Sequence, residues 1–320
     1  MANVDMSLAE LKEYRGTNPC PKDFESYWER GLAEMRAQDP AVEMKRACFQ
    51  SDFADCFDLT FTGVGGARIY AKLLKPKRLT RPCPGLLEFH GYSVHSGDWF
   101  NKLPYVAQGF MVASMDCRGQ GGKSEDLGGI QGNTLHGHVL RGLDDAPDKL
   151  LYRQIFLDTA QLARILMAMD EVDETRIGAT GGSQGGGLSV ACAALEPRVQ
   201  RIVSIFPFLS DYQRCWDLDL ETGPYDELKA YFRRFDPRHE REAAVFERLG
   251  YIDIHHLARR VQARVLMGLT LRDDICPPST QFAVYNNLPA DKQMLLYPDF
   301  GHENLPEFAD RTFSFLSELS

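Results

Sequence analysis

Gly181-Gly182-Ser183-Gln184-Gly185 is the stretch that decides the fold of this chain, because it has the pattern of a nucleophile elbow. Residues 176–180 before it predict a short buried strand, and residues 187–195 after it predict a helix that ends at Glu196-Pro197. A serine on such a sharp strand-to-helix turn has strained backbone geometry and needs glycine neighbours. The turn also places the backbone N–H of Gln184 at a helix N-terminus, where it can face an oxyanion.

This glycine-rich turn has two alternatives, simple packing and phosphate binding, and G-x-S-x-G by itself does not exclude them. A P-loop is excluded because no Gly-Lys-Ser/Thr follows the turn. A dinucleotide-binding turn belongs to the first βα unit, whereas this motif lies beyond the middle of the chain. Partner residues elsewhere in the sequence therefore have to decide.

Length and composition limit the classes of protein to which this chain can belong. A chain of 320 residues exceeds the usual size of one core, so we expect one large domain with additions, or two domains. The formal net charge of −9 at pH 7 argues against nucleic acid as a partner. The eight cysteines are scattered, without a C-x-x-C pair or metal-ligand spacing, so we expect reduced thiols and neither a metal nor an organic cofactor.

Targeting and membrane signals are also missing from the sequence. Residues 1–6 lack the basic and apolar regions of a secretory signal, and the apolar run 165–169 is too short to cross a membrane. We therefore expect a cytoplasmic protein that does not associate with membranes.

The first part of the chain predicts a helix and a hairpin. Residues 23–35 place five large apolar side chains on one helical stripe, namely Phe24, Tyr27, Trp28, Leu32 and Met35. Two strands follow around 56–62 and 67–74, joined by a glycine-rich turn. Antiparallel strands ahead of a parallel sheet are consistent with an α/β-hydrolase.

From residue 86 onward, predicted strands and helices alternate, which is typical of a doubly wound, mostly parallel sheet. Residues 209–256 exceed the dozen or so residues of a simple crossover, and we predict a helical insertion that either caps the active site or joins subunits. A last helix is predicted from about Leu305. The fold class is thus α/β, an α/β-hydrolase fold with one domain over 1–320, within which 1–40 is an N-terminal extension.

A predicted strand over 84–92 ends in His90-Gly91-Tyr92. In α/β-hydrolases the loop after this strand donates the second oxyanion N–H, which is here the backbone N–H of Tyr92. The alternative is that the His-Gly pair only makes a tight strand exit. Trp99 and Phe100 further along are predicted to pack in the core, with a pocket wall as the alternative.

The next predicted strand, 110–116, leads into a glycine-rich loop that ends in Lys123-Ser124. Its spacing does not match a P-loop, which needs Gly, four residues and then Gly-Lys. We expect this loop to turn close to the elbow, with Arg118 tethering it through an ion pair.

Three residues in chain order complete a hydrolase site. Ser183 on the elbow, an acid after the penultimate strand and His302 after the last strand have the order of the α/β-hydrolase triad. His302 is needed to take the serine proton, and the acid, Asp273 or Asp274, holds the imidazole. Neighbouring residues on an extended segment point in opposite directions, and we choose Asp273. The other histidines besides His90 are predicted as surface or hydrogen-bonded residues, namely His95, His136, His138, His239, His255 and His256.

Four motifs, with the opening segment, extend over nearly the whole chain: Arg118-Gly119-Gln120-Gly121-Gly122, the elbow, Asp273 ahead of Cys276-Pro277-Pro278-Ser279-Thr280, and Gly301-His302-Glu303. The opening residues 14–19 and 23–28 fit the same pattern. Together they resemble the acetyl xylan esterase and cephalosporin C deacetylase family, carbohydrate esterase family 7. The Arg-Gly-Gln-Gly-Gly loop discriminates, since other α/β-hydrolases share the elbow but not this loop.

The resemblance implies a serine carboxylesterase that removes acetyl groups from xylo-oligosaccharides and from cephalosporin C through an acetyl-serine intermediate. It implies Ser183 as nucleophile, His302 as base, Asp273 as the orienting acid, and the backbone N–H groups of Tyr92 and Gln184 as oxyanion hole. It also implies a homo-hexamer whose active sites face an internal cavity, with a small acetylated sugar as the substrate and no cofactor.

One departure from the family pattern lies beside the acid, where Thr270-Leu271-Arg272-Asp273 replaces the usual Gly-Leu-Met-Asp. A bulky cation therefore precedes the carboxylate. Two alternatives to the deacetylase stay open on the sequence: a broader short-chain esterase, lipase or peptidase of the same fold, and a non-catalytic binding protein that retains the fold.

Overall fold

One mixed β-sheet is the framework of the molecule. The computed structural model describes residues 4–127, 129–131, 137–219, 223–289 and 291–320. Nine strands in this part of the chain form the sheet, with the bounds β1 Glu43–Arg46, β2 Ala54–Thr62, β3 Arg68–Pro76, β4 Cys83–Phe89, β5 Met111–Met115, β6 Val172–Gly182, β7 Arg201–Ile205, β8 Arg264–Thr270 and β9 Lys292–Tyr297.

Helices join these strands and cover the sheet. Across the described ranges there are eleven α-helices, with the bounds α1 Leu8–Glu13, α2 Phe24–Ala37, α3 Leu103–Ala107, α4 Leu151–Met167, α5 Gln184–Leu195, α6 Tyr212–Asp217, α7 Asp226–Phe235, α8 Glu242–Leu249, α9 Ile254–Leu257, α10 Pro278–Asn287 and α11 Phe308–Ser317. None of them combines the length and apolar composition that a bilayer crossing requires.

The strand order across the sheet is β1-β2-β3-β5-β4-β6-β7-β8-β9. The first three strands and β5 pair antiparallel, and every pair from β5 to β9 is parallel. This is the strand order of the α/β-hydrolase fold with one added edge strand, which confirms the predicted fold class. The elbow strand β6 lies between β4 and β7, so its C-terminal end is in the middle of the parallel region.

Strand alternation divides the core between the two faces of the sheet. Leu86 and Leu87 are both fully buried, yet they belong to different apolar clusters because successive side chains of a strand point to opposite faces. The smaller cluster lies under α3 and α11, and the larger one lies under α2, α4, α5 and the insertion. Both faces of the parallel region are therefore covered, as such sheets require.

The strongly patterned predictions hold. The predicted amphipathic helix is α2, and all five stripe residues are buried. The predicted hairpin is β2 and β3, joined by a single turn of 3₁₀ helix over Val64–Gly66. The last helix begins three residues later than predicted, because Glu307 has φ 61° and the chain first makes a left-handed turn there.

The prediction that Trp99 and Phe100 pack in the core is wrong for Phe100, which is 69% exposed. The two residues enter a helical turn, in which neighbouring side chains point in different directions. Trp99 turns inward and stacks on Phe49 with ring centroids 6.3 Å apart, so Phe100 faces outward.

The predicted insertion contains α6, α7, α8 and α9, and its residues 220–222 lie outside the described ranges. Its aromatic side chains extend the larger core cluster and do not form a separate core. One of its residues, Glu227, reaches the loop after β4. A contact of the insertion with a second copy of the chain stays a prediction.

Candidate active site

The elbow places Ser183 between the last residue of β6 and the first residue of α5, with φ 56° and ψ −121°. The backbone N–H of Ser183 donates to Ile205 at 2.9 Å, and its carbonyl oxygen accepts from Phe208 at 3.0 Å. A Cβ atom on Gly185 would collide with the carbonyl oxygen of Phe89, so glycine is required there. The strained serine conformation is thus imposed by its surroundings, which is common at functional sites.

His302 and Asp273 are in direct contact. His302 Nδ1 lies 2.9 Å from Asp273 Oδ2, and the aspartate is fully buried. The other carboxylate oxygen accepts from the backbone N–H groups of Ile275 at 2.9 Å and Cys276 at 2.7 Å. An ionised carboxylate only accepts hydrogen bonds, so the proton of the neutral imidazole is on Nδ1. The Nε2 atom is thereby left as the basic nitrogen.

The second acid considered from the sequence, Asp274, is exposed. The structure thus brings Asp273, the acid chosen from the sequence, to His302 and leaves its neighbour in solvent. Phe206 completes the surroundings of the imidazole, because its ring centroid lies 4.4 Å from that of His302. These contacts restrict the rotation of the imidazole.

The two predicted oxyanion donors come from separate elements at the same sheet edge. Gln184 is the first residue of α5, and Tyr92 follows β4, whose Phe89 is paired with Gly181 of β6. Within the described ranges, neither backbone N–H group donates a hydrogen bond to the protein. Both groups are therefore available for an anion in front of the elbow serine.

The side chain of Gln184 connects three segments around the site. Its Nε2 atom donates to the carbonyl oxygens of His90 at 3.3 Å and Gly91 at 3.2 Å, and its Oε1 atom accepts from Tyr152 at 2.6 Å. It also forms a reciprocal amide pair with Gln120, at 2.8 and 3.1 Å. The glycine-rich loop is thus bound directly to the elbow helix.

Arg118 anchors the same loop from the other side. Its guanidinium forms a bidentate pair with Asp158 of α4, at 2.6 and 2.7 Å, and both residues are buried. Burial raises the pKa of Asp158, an effect that the adjacent guanidinium opposes. The predicted ion-pair tether is therefore confirmed, and its partner is identified as Asp158.

A known protein family matches nearly the whole chain. The family model described as acetyl xylan esterase (AXE1) matches residues 1–319. This chain belongs to the acetyl xylan esterase family. The crystal structure of acetyl xylan esterase 1 from Thermoanaerobacterium sp. JW/SL YS485 is 60% identical, with a TM-score of 0.97 over 98% of this chain and 99% of that one. Acetyl xylan esterase from Paenibacillus sp. R4 is 34% identical, with a TM-score of 0.93 and coverage of 98% and 99%.

A further relative is less similar in sequence. Acetyl esterase Axe7A of Xylanibacter ruminicola is 28% identical over 301 residues, which are 92% of this chain. The chain spans 66% of the length of that relative. The similarity to the two solved acetyl xylan esterases, in contrast, extends over nearly the full length of both chains.

Several residues around the candidate active site were not predicted from the sequence. Gln281 donates to Asp273 at 3.3 Å, Tyr152 and Phe206 contact the residues described above, and Glu227 binds Tyr92. Phe206 directly follows β7, so its place at the sheet edge could have been found from the strand order. The others come from helices without a local motif.

His90 has a structural role in this family member. Its Nδ1 atom donates to the carbonyl oxygen of Gly91 at 2.7 Å, and its Nε2 atom accepts from the backbone N–H of Cys117 at 2.9 Å. Burial lowers the pKa of His90, which favours the neutral ring that this pattern requires. The imidazole thus joins the ends of β4 and β5, as in the strand-exit alternative.

The remaining described histidines differ in their exposure to solvent. His95 and His239 are exposed, His138 is half-buried, and His136 lies outside the described ranges. The prediction of a hydrogen-bonded residue is wrong for His256, which is buried although neither ring nitrogen has a hydrogen-bond partner among the described residues. The ring packs against Phe24 and His255, with centroid distances of 5.8 and 3.9 Å.

Three side chains of types that can bind a metal ion lie close together in the insertion. Asp253, His255 and His256 place their ligand atoms within 4.8 Å of one another, and no other such group occurs in the described part of the chain. The Asp253 carboxylate already accepts from His255 Nδ1 at 2.7 Å and from the backbone N–H of Asp211 at 2.8 Å. The group contains none of the predicted site residues, and the expectation of a metal-free enzyme stays a prediction.

A groove of about 230 Å³ opens beside the catalytic-site candidates. Phe206, which contacts the His302 ring, forms part of its wall together with Tyr105, and Glu303 and Asn304 contribute polar side chains. Aromatic walls with a few polar groups are typical of sites for small molecules. Ser183, Asp273 and His302 are not among its lining residues, and Phe206 connects the groove to the imidazole.

Proposed function

We propose that this chain is a serine carboxylesterase that removes acetyl groups from acetylated sugars, xylo-oligosaccharides first, and from cephalosporin C. One observation carries the proposal: an elbow serine, a His302–Asp273 pair and two unengaged backbone N–H groups all follow the carboxyl ends of parallel strands of one sheet. The family relationship supplies the acetylated sugar as the substrate class.

The first half of the reaction forms an acetyl-serine. Ser183 Oγ attacks the acetyl carbonyl while His302 Nε2 takes the hydroxyl proton, and Asp273 stabilises the resulting imidazolium. The carbonyl oxygen becomes an oxyanion that the N–H groups of Tyr92 and Gln184 stabilise. When the carbon–oxygen bond to the sugar breaks, the imidazolium gives its proton to the departing sugar oxygen, which leaves as a hydroxyl group.

The second half of the reaction releases acetate. A water molecule gives its proton to His302 and attacks the acetyl-serine, again through an oxyanion held by the same two N–H groups. Collapse of this intermediate returns the proton to Ser183 and frees acetate. The groove beside Phe206 would hold the alcohol portion of the substrate. Its aromatic wall and polar rim fit the apolar faces and hydroxyl groups of a sugar.

The test is hydrolysis of 4-nitrophenyl esters from acetate to octanoate, with acetylated xylo-oligosaccharides and cephalosporin C measured alongside. We expect a preference for acetate, and we expect Ser183→Ala to lower kcat at least about 10⁴-fold because the nucleophile is removed. Ser189→Ala is the matched control, since Ser189 lies in the same helix and its hydroxyl only donates to the carbonyl oxygen of Gly185.

Each other outcome of this assay has a definite meaning. Unchanged turnover in folded Ser183→Ala protein would contradict the serine mechanism. A preference for long acyl chains would favour the lipase-like alternative, and no turnover of any ester would favour a binding protein.

A further inference from the structure

Glu227 of α7 is a buried carboxylate that belongs to the insertion and contacts the oxyanion loop. The hydroxyl of Tyr92 donates a short hydrogen bond to Glu227 Oε1, although the residues are 135 positions apart in the chain. The backbone N–H groups of Val139 at 3.1 Å and Leu140 at 3.2 Å donate to Oε2. The N–H of His138 donates to Oε1 at 3.1 Å and to the Tyr92 hydroxyl at 2.7 Å.

This set of partners favours an ionised carboxylate. Three of the four groups around Glu227 are backbone N–H groups, which only donate, and the Tyr92 hydroxyl donates to Oε1 while it accepts from the N–H of His138. Burial raises the pKa of Glu227 to about 7, while the hydrogen bonds from Tyr92 and from the backbone hold it down. Burying a carboxylate is unfavourable. The fold nevertheless keeps Glu227 where it binds the side chain of Tyr92, whose backbone N–H is the predicted oxyanion donor.

The Tyr92 side chain is fixed along its whole length. Its ring packs edge-on against Phe208, at a centroid distance of 5.4 Å, and against His138, at 5.1 Å. On the backbone side, Gln184 binds the carbonyl oxygens before Tyr92, and Gln120 accepts from the N–H of Ser93 at 2.9 Å. The direction of the Tyr92 N–H is therefore set from the elbow side by two amides and from the insertion side by Glu227.

We propose that Glu227 is a positioning residue: through the Tyr92 hydroxyl it holds the loop that presents the Tyr92 backbone N–H to the oxyanion. This inference rests on the proposed esterase function. It gives the insertion a part in the chemistry of its own chain, beyond any contact with other subunits. Glu227 itself touches neither the serine nor the substrate.

The consequence is confined to the transition state. The oxyanion forms only after the serine attacks, so a displaced N–H weakens transition-state binding and leaves substrate binding unchanged. Loss of one complete oxyanion donor costs roughly 10²- to 10³-fold in kcat, so a loosened donor is expected to cost about 10-fold. Because Tyr92 and Glu227 act through one hydrogen bond, their losses are not additive.

The experiment compares Tyr92→Phe, Glu227→Gln and the double variant with wild type on 4-nitrophenyl acetate. We expect kcat of each single variant to fall about 10-fold, with KM within about two-fold of the wild-type value. The double variant should have the same kcat as the less active single variant. The rate of inactivation by a 4-nitrophenyl phosphonate, which builds the same oxyanion, should fall in parallel with kcat. Thermal unfolding establishes that each variant is folded.

Tyr231→Phe is the matched control. Tyr231 lies on the same helix, is buried, and donates to Asp144 Oδ1 at 2.6 Å, so its loss also removes a tyrosine–carboxylate bond from α7. It has no contact with the oxyanion loop among the described residues. Its kcat and inactivation rate should equal those of the wild type.

Several results would overturn the proposal. These are a wild-type kcat in folded Tyr92→Phe, additive losses in the double variant, a change confined to KM, or an equal loss in Tyr231→Phe. If Glu227→Gln fails to fold, Tyr92→Phe decides alone. An active wild type with inactive Ser183→Ala and fully active Tyr92→Phe would reject only this inference, whereas a wild type without ester turnover would remove the proposed function and this inference with it.

Discussion

The carboxylate of Asp273 is held by His302 on one oxygen and by two backbone N–H groups on the other. In Asp273→Asn the amide NH₂ would face a donor at either position, and the imidazole would lose the acceptor that keeps its proton on Nδ1. We expect kcat on 4-nitrophenyl acetate to fall about 10³- to 10⁴-fold with a small change in KM.

The control for this substitution is the neighbouring Asp274→Asn, at an exposed carboxylate. It should retain kcat within about two-fold, because a solvated carboxylate that does not face the imidazole contributes little. A larger loss for Asp274→Asn than for Asp273→Asn would reverse the assignment of the acid.

At the residue scale, the sequence predicts positions where the chemistry depends on local spacing. The elbow and the strand ends predict Ser183 and His302 as site residues, and the alternation of side chains allows only one of Asp273 and Asp274 to face the imidazole. The structure places Asp273 there. Glu227 and Gln281 could not be found in this way, because their contacts come from helices and join segments brought together only by the fold. No short pattern encodes such a contact.

The loop after β5 and the helix α4 depend on one buried ion pair, Arg118–Asp158. Asp158→Asn leaves a buried guanidinium without its charge partner, so the free energy of unfolding should fall by about 3 kcal/mol or more. Urea unfolding measures this change. Glu240→Gln, in the exposed Arg238–Glu240 pair, is the control and should lose less than about 1 kcal/mol.

A double substitution, Arg118→Met with Asp158→Leu, separates charge from packing. It should recover most of the lost stability, because an apolar pair leaves no uncompensated buried charge. If the double variant is as unstable as Asp158→Asn, the pair contributes through its shape and not through the penalty of an unpaired ion.

At the element scale, the sequence predicted the elements that carry a clear period and missed those without one. The four residues of β1 are all exposed and show no alternation of buried and exposed residues. Eight of the ten residues of α10 are buried, so this helix has no polar face that would reveal a helical period. The short helices α1 and α3 have too few residues for a pattern to be recognised.

At the scale of the whole molecule, a buried hydrogen-bond network joins the N-terminal segment to the insertion. Asp211 accepts from the Tyr14 hydroxyl at 2.7 Å and from the backbone N–H of Asn18 at 2.9 Å. Its own N–H donates to Asp253, which also binds His255. Residues nearly 200 positions apart in sequence are thereby fixed to each other next to the unpartnered His256.

His256 makes this region sensitive to acid. Burial, followed by the charge of His255, lowers the pKa of His256 to about 4, whereas an unfolded histidine titrates near 6.5. Between these values the unfolded chain binds more protons, so stability falls as the pH falls from about 6.5 through about 4. The loss attributable to this residue is on the order of 3 kcal/mol.

His256→Leu removes that titration and keeps an apolar side chain in the same site. We expect wild type and variant to have similar unfolding free energies at about pH 7.5, and the variant to be the more stable one at about pH 4.5. His95→Gln, at an exposed histidine, should follow the wild type at both values. A constant difference between His256→Leu and wild type across this range would contradict the assignment.

The strand order also determines when the enzyme can become active as it folds. Ser183 directly follows β6, whereas its proposed partners follow β8 and β9, and β9 is the edge strand of the parallel region. A folding intermediate with its central strands formed but its last two strands undocked would carry a nucleophile without a base. Ester hydrolysis is therefore a readout of complete folding, and its recovery after dilution from denaturant would time the docking of the C-terminal edge.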